Sequence, residues 1–376
     1  MCNKEDGLMK RKILFIIWSY TFGGGAEALL TMIVNHLNPE KYDISIIEYH
    51  HAEIKTEPVN ENIHVLPYIQ AVDTPEKYSK TYQLYHMPEL LIDTYIKKDY
   101  DLYISFNYLI PTFLLPKGTK NISWIHGNVY DLADKQVLRE RKRQDIAFYK
   151  VKKIVAISDL TEQSLKELFP NHQEKLVKIY NGVDINKIKK KADEAAEIKI
   201  EHPSIVFIGR LEEAKDPIRL LNVLKLVHKY GIKAHLYYLG SGELRDVIFN
   251  EATEKGVADF IHLLGYKQNP FPIIKQCNVT CLLSKGEGFS MSLLESVALG
   301  IPFVATKVGG ANELSNNQSC GSTIETDEEA ALSIYKWIIT DREEIKRKCA
   351  ESIKRFSLND YIHKIEMMFD EVMDGN

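Results

Sequence analysis

Short apolar segments separated by stretches with helical periodicity recur along the chain, and this alternation constrains the fold more than any other sequence feature. In the first half these segments lie at residues 12–18, 42–49, 100–106, 121–126, 153–158 and 176–180. In the second half they lie at residues 204–209, 234–240, 261–265, 279–284 and 302–306. Apolar runs alternating with helical stretches are typical of parallel strands covered by helices, so we predict an α/β fold with doubly wound parallel sheets.

The restart of this pattern near residue 200 indicates two domains. A chain of 376 residues is also longer than one hydrophobic core usually organises. The segment 186–197 is charged and poor in apolar residues, so we interpret it as a surface linker. We place the domains at 1–182 and 183–355. Residues 356–372 have the pattern of a last amphipathic helix, which sequence alone assigns to the second domain.

Composition narrows the class of protein. With 45% hydrophobic and 27% charged residues, the chain has an ordinary globular composition. A net charge of -4 argues against a nucleic-acid partner. No apolar run approaches the roughly 20 residues of a membrane span, and the polar start does not resemble a signal peptide. The five cysteines lack metal-ligand spacing, so we expect reduced thiols, no metal and a cytoplasmic location.

A turn with the sequence Gly-Glu-Gly-Phe, residues 286–289, joins a strand-like segment to a helix-like one at 290–299. The unpaired amides and the dipole at the start of a helix favour a phosphate-bearing ligand. Glu287 lies in this turn, and Glu295 follows eight positions later, which corresponds to roughly 12 Å along a helix. Two carboxylates so spaced could hold two ends of one extended ligand. The alternative is an ordinary strand-turn-helix unit with solvated carboxylates.

The run from Glu287 to Glu295, followed by Ala-Leu-Gly-Ile-Pro-Phe-Val-Ala at 298–305, resembles the Glu-x7-Glu motif of the retaining glycosyltransferases of family 4. The resemblance implies the GT-B architecture, in which two Rossmann-like domains face a central cleft and the last helix, 356–376, packs back on the first domain. It also implies that Glu287 lies beside the transferred sugar and Glu295 on the nucleotide ribose. The donor site would include their neighbours Gly288, Phe289, Ser290 and Met291.

Two cations follow the first predicted strand of the second half. Arg210 offers a planar fork of donors and Lys215 a mobile point charge, so together they could bind one diphosphate. The string Gly-Arg-Leu and the later Lys resemble the motif with which the same family binds the donor diphosphate without a metal. An ion pair of Arg210 with Glu212 or Glu213 is the alternative interpretation.

Three glycines at 23–25 follow the first strand and precede a predicted helix. They permit positive φ and a close approach of the backbone to an anion. Their surroundings resemble the family's Gly-Gly-x-Glu turn, which implies that Gly24 and Gly25 contact the donor diphosphate and the acceptor. The alternative is a flexible turn.

His126 ends another predicted strand and could be a general base, a metal ligand or a satisfied core residue. The resemblance implies that it contacts the donor sugar, so the expected catalytic residues are His126, Arg210, Lys215 and Glu287. Tyr266 falls where the family binds the nucleotide base, and it would either stack on that base or pack in the core.

A basic run at 139–143 contains four cations and one Glu. It is either a solvated helix face or a contact for an anionic lipid surface or a lipid-diphosphate acceptor.

Taken together, the resemblance implies a retaining, metal-independent hexosyltransferase without a cofactor. It would move a hexose or N-acetylhexosamine from a nucleotide-sugar, expected to be a UDP-sugar, to a glycan, lipid-linked or protein acceptor. We expect a role in bacterial surface polysaccharide, capsule or glycoconjugate synthesis, in the cytoplasm or peripherally at the inner face of the membrane. Two alternatives remain open: a nucleotide-sugar 2-epimerase of the same fold and a non-catalytic partner subunit of another glycosyltransferase.

Overall fold

The computed structural model describes residues 9–54, 58–71, 77–107 and 109–375. These residues form two compact units. The N-terminal unit comprises the described residues up to Ile179 together with those from Tyr361 onward, and the C-terminal unit comprises Tyr180–Asp360. Each unit contains a parallel sheet with helices, so the predicted α/β fold is confirmed.

The strands of the N-terminal unit are β1 Arg11–Ile17, β2 Tyr42–Glu48, β3 His50–His51, β4 Ile63–Val65, β5 Gln70–Ala71, β6 Leu102–Asn107, β7 Asn121–Ile125, β8 Lys153–Ala156 and β9 Leu176–Lys178. Within the described residues, seven of them form one parallel sheet in the order β4-β2-β1-β6-β7-β8-β9. The helices before residue 180 are α1 Gly25–His36, α2 Lys77–His86, α3 Pro88–Tyr95, α4 Leu138–Phe148 and α5 Asp159–Leu168.

The central strand β1 shows why the apolar runs become strands. Its residues from Ile13 to Ile17 are at most 1% exposed, so both faces of the strand are buried. Ile13 lies between Ile44 of β2 and Leu102 of β6 in the parallel register. A strand buried on both faces must be apolar throughout, which is the pattern that the sequence carries.

The C-terminal unit, all of whose residues the structure describes, has the strands β10 Ser204–Ile208, β11 His235–Leu239, β12 Ile261–Gly265, β13 Val279–Leu282, β14 Phe303–Thr306 and β15 Gly321–Ile324. They form a parallel sheet in the order β12-β11-β10-β13-β14-β15. Its helices are α6 Ile185–Ala192, α7 Arg219–Lys229, α8 Arg245–Glu254, α9 Phe271–Ile274, α10 Met291–Ala298, α11 Ala311–Ser315, α12 Asp327–Ile339 and α13 Arg342–Ile353. The strand order reverses between β10 and β13, and open α/β sheets bind ligands at such a switch point.

The segment 186–197 is largely helix α6, so its interpretation as a linker was wrong. The carboxylate of Asp184 caps this helix by accepting a hydrogen bond of 2.9 Å from the backbone N–H of Lys187. The helix buries Ile188 and Ala192. Because only these two of its eight residues are buried, its composition resembles that of a solvated segment.

The last helix, α14 Leu358–Asp374, packs within the N-terminal unit from Tyr361 onward. The buried ring of Phe369 lies 6.3 Å from the ring of Phe15 and 6.1 Å from that of Tyr42. The carboxylate of Asp370 accepts a hydrogen bond of 2.6 Å from Lys41. None of the helices in the described part of the chain combines the length and the apolar character that crossing a bilayer requires.

Phe369→Ala should lower the free energy of unfolding by about 3–5 kcal/mol, because it removes a fully buried ring and leaves a cavity. Met367→Ala is the matched control on the same helix, since Met367 is 59% exposed and its truncation should cost little. The measurement is urea denaturation followed by circular dichroism. Equal losses in the two variants would contradict the packing described for α14.

Candidate functional site

The turn after β13 brings a carboxylate and an ammonium group together. Glu287 Oε1 accepts hydrogen bonds from Lys215 Nζ at 2.5 Å and from Ser284 Oγ at 2.8 Å. Lys215 follows β10 and Glu287 follows β13. The ion pair therefore joins the segments that leave the two strands on either side of the switch point. Both side chains are mostly buried, with 22% of Lys215 and 10% of Glu287 exposed. The pair therefore fixes a cation and an anion at the carboxyl edge of the sheet.

The turn continues into helix α10, as the sequence predicts. The hydroxyl of Ser290 caps the helix by accepting from the backbone N–H of Leu293 at 3.4 Å. Phe289 is buried, and its ring lies 5.9 Å from that of Tyr180. Gly288 and Met291 complete the stretch that the resemblance assigns to the donor site.

A glycine pair after β14 holds this turn in place. A methyl group added at Gly309 would lie 2.0 Å from the carbonyl oxygen of Gly288 and 2.3 Å from that of Glu287. At Gly310, where φ is +77°, it would lie 2.4 Å from the ring of Phe289. The backbone of the Glu287 turn can approach the segment after β14 this closely only because Gly309 and Gly310 lack a Cβ atom.

Glycines also allow the backbone segments that follow β10 and β11 to pack closely against each other. A Cβ on Gly240 would lie 1.8 Å from the carbonyl oxygen of Gly209, and one on Gly242 would lie 2.3 Å from that of Leu211. The backbone N–H of Gly240 in turn donates to Gly265 at 2.9 Å. These contacts bring the residues that follow the three strands to one edge of the sheet.

Arg210 and Tyr266 lie at this edge. The guanidinium of Arg210 is 64% exposed and pairs with Glu212 at 3.0 Å, which is one of the two ion pairs considered from the sequence. Tyr266 is 61% exposed, so its ring does not lie in the core. Its backbone N–H donates to Ser241 Oγ at 3.2 Å.

Glu295 lies in α10 and is partly buried. Burial raises the pKa of its carboxyl to about 7, although Lys191 acts in the opposite direction. Burial thus favours the protonated form of this carboxyl, which can both donate and accept a hydrogen bond.

In the N-terminal unit, the predicted glycine turn ends at helix α1, with Gly24 as the residue that precedes it. A Cβ on Gly24 would lie 2.5 Å from Glu27 Oε2. Glu27 lies in the first turn of α1 and is buried. Gly24 thus leaves room for a carboxylate at the positive end of the helix, while a methyl group at Gly25 would meet nothing within 4 Å.

His126 follows β7, and its backbone N–H donates to the carbonyl oxygen of Asn107 at 2.6 Å. Within the described residues its Nε2 is buried without a hydrogen-bond partner. Burial lowers the pKa of the imidazole to about 3. His126 is therefore neutral at physiological pH and presents a polar atom that none of the described residues satisfies.

A buried network around Glu48 was missed from the sequence. Its Oε2 accepts from the backbone N–H of Tyr20 at 2.7 Å and of Thr21 at 3.1 Å, and its other oxygen pairs with His51. The network ties the segment after β1 to the end of β2. The available signal was a Glu at the end of an apolar strand, followed by two histidines.

The predicted basic run lies in helix α4 and is not uniformly solvated. Arg139 and Arg143 approach the same ring nitrogen of His86, at 3.1 and 3.2 Å, and Arg143 also pairs with Glu140 at 2.8 Å. A lipid contact for this run stays a prediction.

Two family models match consecutive parts of the chain. Residues 23–187 match Glycosyltransferase Family 4, and residues 188–356 match Glycosyl transferases group 1. Together the two models match residues 23–356 of this chain. The switch-point residues Arg210, Lys215 and Glu287 all lie in the second of the two matched regions.

Several curated proteins are similar to parts of this chain. An N-acetylgalactosaminyltransferase of Campylobacter jejuni, named for an N,N'-diacetylbacillosaminyl-diphospho-undecaprenol substrate, is 27% identical over 215 residues, which are 57% of this chain and 56% of that protein. The matches to several such relatives cover about half of their length.

Two solved structures show the same fold. Sucrose-phosphate synthase of Thermosynechococcus elongatus superposes with a TM-score of 0.79 at 14% identity, covering 97% of this chain and all of that one. HepE of Anabaena in complex with UDP gives a TM-score of 0.72 at 16% identity. This match covers 96% of this chain and 100% of the HepE chain. The architecture is thus that of the GT-B glycosyltransferases.

Gly309→Ala should displace the Glu287 turn, because the new methyl group would overlap two backbone carbonyl oxygens that cannot rotate away. We expect a loss of stability of about 1–3 kcal/mol, typical of overpacking. Gly286→Ala is the control in the same turn, since a methyl group there meets nothing within 4 Å. Chemical denaturation of both variants measures the difference, and an unaltered Gly309→Ala protein would contradict the close approach.

Glu295→Gln should change stability in a pH-dependent way. Folding raises the pKa of this carboxyl from its ordinary value of 4.5 to about 7. The free energy of unfolding therefore falls as the pH rises through this interval, because the unfolded chain ionises first. The free energy of unfolding of the variant, relative to that of the wild type, should therefore be about 2 kcal/mol higher at pH 8 than at pH 5. The exposed Glu351→Gln is the control, and an equal effect at both pH values would show that Glu295 is not desolvated.

Proposed function

We propose that the chain is a retaining, metal-independent glycosyltransferase that transfers a hexose or N-acetylhexosamine from a UDP-sugar to a lipid-linked or other glycan acceptor. The two family matches support the reaction class. The Campylobacter jejuni relative is named for a diphospho-undecaprenol substrate, and HepE was solved with UDP, which support this acceptor and this nucleotide. A lipid-linked acceptor would place the reaction at the inner face of the cell membrane.

The observation that carries the proposal is the ion pair of Lys215 with Glu287 at the switch point, where Arg210 also follows strand β10. A nucleotide-sugar has a negative diphosphate next to an electron-poor sugar carbon. Lys215 and Arg210 offer the positive charge that stabilises the departing diphosphate, and Glu287 offers the negative charge that steadies the developing positive charge on the sugar. The pair with Glu287 already orders Lys215, so little reorganisation accompanies donor binding.

Arg210 and Lys215 differ in how they would act. Lys215 is largely buried and is held by its ion pair with Glu287. Arg210 is mostly exposed and forms a solvent-exposed ion pair with Glu212. We therefore assign Lys215 to a fixed position beside the diphosphate. Arg210 would exchange Glu212 for a diphosphate oxygen when the donor binds, which adds a charge-assisted hydrogen bond.

Glu295 and Tyr266 would bind the nucleoside. The partly ionised carboxyl of Glu295 suits a ribose, whose hydroxyls both donate and accept. The exposed ring of Tyr266 offers a face for the base. His126 would hydrogen-bond the sugar through its unsatisfied Nε2 and would remain neutral, because its pKa lies near 3.

In the proposed reaction the acceptor hydroxyl attacks the anomeric carbon on the face that the diphosphate leaves. The bond from carbon to the diphosphate oxygen breaks, and that oxygen takes the proton of the acceptor. The products are UDP and a glycoside with the anomeric configuration of the donor. The two cations take the role that a metal has in other transferases, so activity with a diphosphate donor should persist in EDTA.

The proposal is tested by measuring UDP release from a panel of UDP-sugars in the presence of diphospho-undecaprenol-linked saccharides. The anomeric configuration of the product is read by NMR. An epimerised UDP-sugar without UDP release would support the 2-epimerase alternative, and no turnover with any donor would support a partner subunit. An inverted glycoside would contradict the retaining reaction.

Lys215→Ala should lower kcat by about 10²-fold, because its charge is needed most when the diphosphate departs. Lys285→Ala is a matched control: Lys285 lies two residues before Glu287 and forms an exposed ion pair with Glu213. It should leave kcat unchanged. A normal kcat with a raised KM in Lys215→Ala would show that the residue only binds the donor.

A further inference from the structure

Three side chains with metal-binding atoms meet at the opposite edge of the C-terminal sheet. Glu201 precedes β10, His235 begins β11 and His262 is the second residue of β12. One ligand atom from each lies within 4.8 Å of the other two. His235 Nδ1 is 3.0 Å from His262 Nε2, and His235 Nε2 is 3.5 Å from a carboxylate oxygen of Glu201.

Aromatic side chains hold these groups in place. The ring of Tyr237 is stacked on that of His262, with centroids 4.2 Å apart and planes 9° from parallel. The hydroxyl of the same Tyr237 accepts a hydrogen bond of 2.9 Å from the backbone N–H of Glu201. The ring of His235 packs against Phe260 at 5.3 Å. Tyr237 thus positions two of the three residues, and both imidazoles are ordered before any ligand arrives.

The chemistry of the three groups suits a transition-metal ion. Two imidazoles and one carboxylate form a donor set that binds Zn²⁺ with a fourth position open. A metal takes neutral imidazoles as ligands, and each ring can offer one nitrogen to the ion. The facing nitrogens, hydrogen-bonded at 3.0 Å, would have to separate only to the roughly 3.3 Å between two nitrogen ligands of a tetrahedral Zn²⁺.

We propose that Glu201, His235 and His262 form a binding site for Zn²⁺ or a similar divalent transition metal. The carboxylate of Glu201 is 66% exposed, so it can close on the ion without disturbing the core. His235 can present either ring nitrogen to the ion. No sequence motif indicates this site, because the three ligands are far apart in the chain.

The position of the site indicates a structural role. His235 and Leu239 lie at opposite ends of β11, roughly 13 Å apart at about 3.3 Å per residue. The ion would therefore lie far from Arg210 and Glu287 and would not contact the donor. It would instead join the segment before β10 to β11 and to the edge strand β12, and stabilise the folded state by binding it selectively.

The experiment uses the full chain, without a polyhistidine tag and stripped of metal by a chelator. Zn²⁺ is titrated by calorimetry, and Co²⁺ is added separately because its visible spectrum reports tetrahedral coordination. The variants are His262→Gln, Glu201→Gln and the control His363→Gln, which alters an exposed histidine of α14. Thermal unfolding of each protein is recorded with and without Zn²⁺.

We expect one Zn²⁺ per wild-type chain, a higher Tm with the metal, and the same behaviour in His363→Gln. His262→Gln and Glu201→Gln should bind Zn²⁺ at least about tenfold more weakly and lose the rise in Tm. Because Glu201 is exposed, its variant should keep the metal-free Tm of the wild type, which separates lost binding from misfolding. Absence of Zn²⁺ binding, or equal binding in His262→Gln and His363→Gln, would leave only a hydrogen-bonded histidine pair and overturn the proposal.

Discussion

The close approach of backbone segments at the carboxyl edge of the C-terminal sheet is the constraint on which the candidate site depends. Gly240 contacts the backbone of Gly209, and Gly309 contacts the backbone of Glu287 and Gly288. A side chain at either glycine would push a turn outward, because backbone atoms cannot yield as a flexible side chain does. The positions of Lys215 and Glu287 therefore follow from two places where Cβ is absent.

Once the turns are fixed, electrostatics sets the state of the groups they carry. Lys215 and Glu287 neutralise each other in a mostly buried pair, so that their attraction offsets part of the cost of removing both charges from water. Glu295 is partly buried with only the nearby cation of Lys191 to favour its ionised form, so its pKa rises to about 7. The carboxylate of Glu287 is thus held in an ion pair, while the carboxyl of Glu295 has a pKa near neutral pH.

The two edges of this sheet have different chemistry. The carboxyl edge carries glycines and the charged pair, while the amino edge carries Glu201, His235 and His262 against aromatic rings. Strand β11 connects the two, beginning at His235 and ending beside Gly240. A metal at the amino edge would stiffen the strands whose other ends position Arg210 and Tyr266.

The sequence by itself determined most of the longer strands and their succession along the chain, because strands buried on both faces must be apolar. It also located the Glu287 turn, the helix that follows this turn and the cations after β10, since each follows directly from a local motif. It misjudged helix α6, where only Ile188 and Ala192 are buried, and did not reveal β15 with its small polar residues. Only the tertiary structure decided that Lys215 pairs with Glu287, that Tyr266 is exposed, and that Glu48, Glu201, His235 and His262 belong to networks. Those contacts join residues distant in the chain, and burial, which sets the pKa values of His126 and Glu295, is a property of the packed fold rather than of any local pattern.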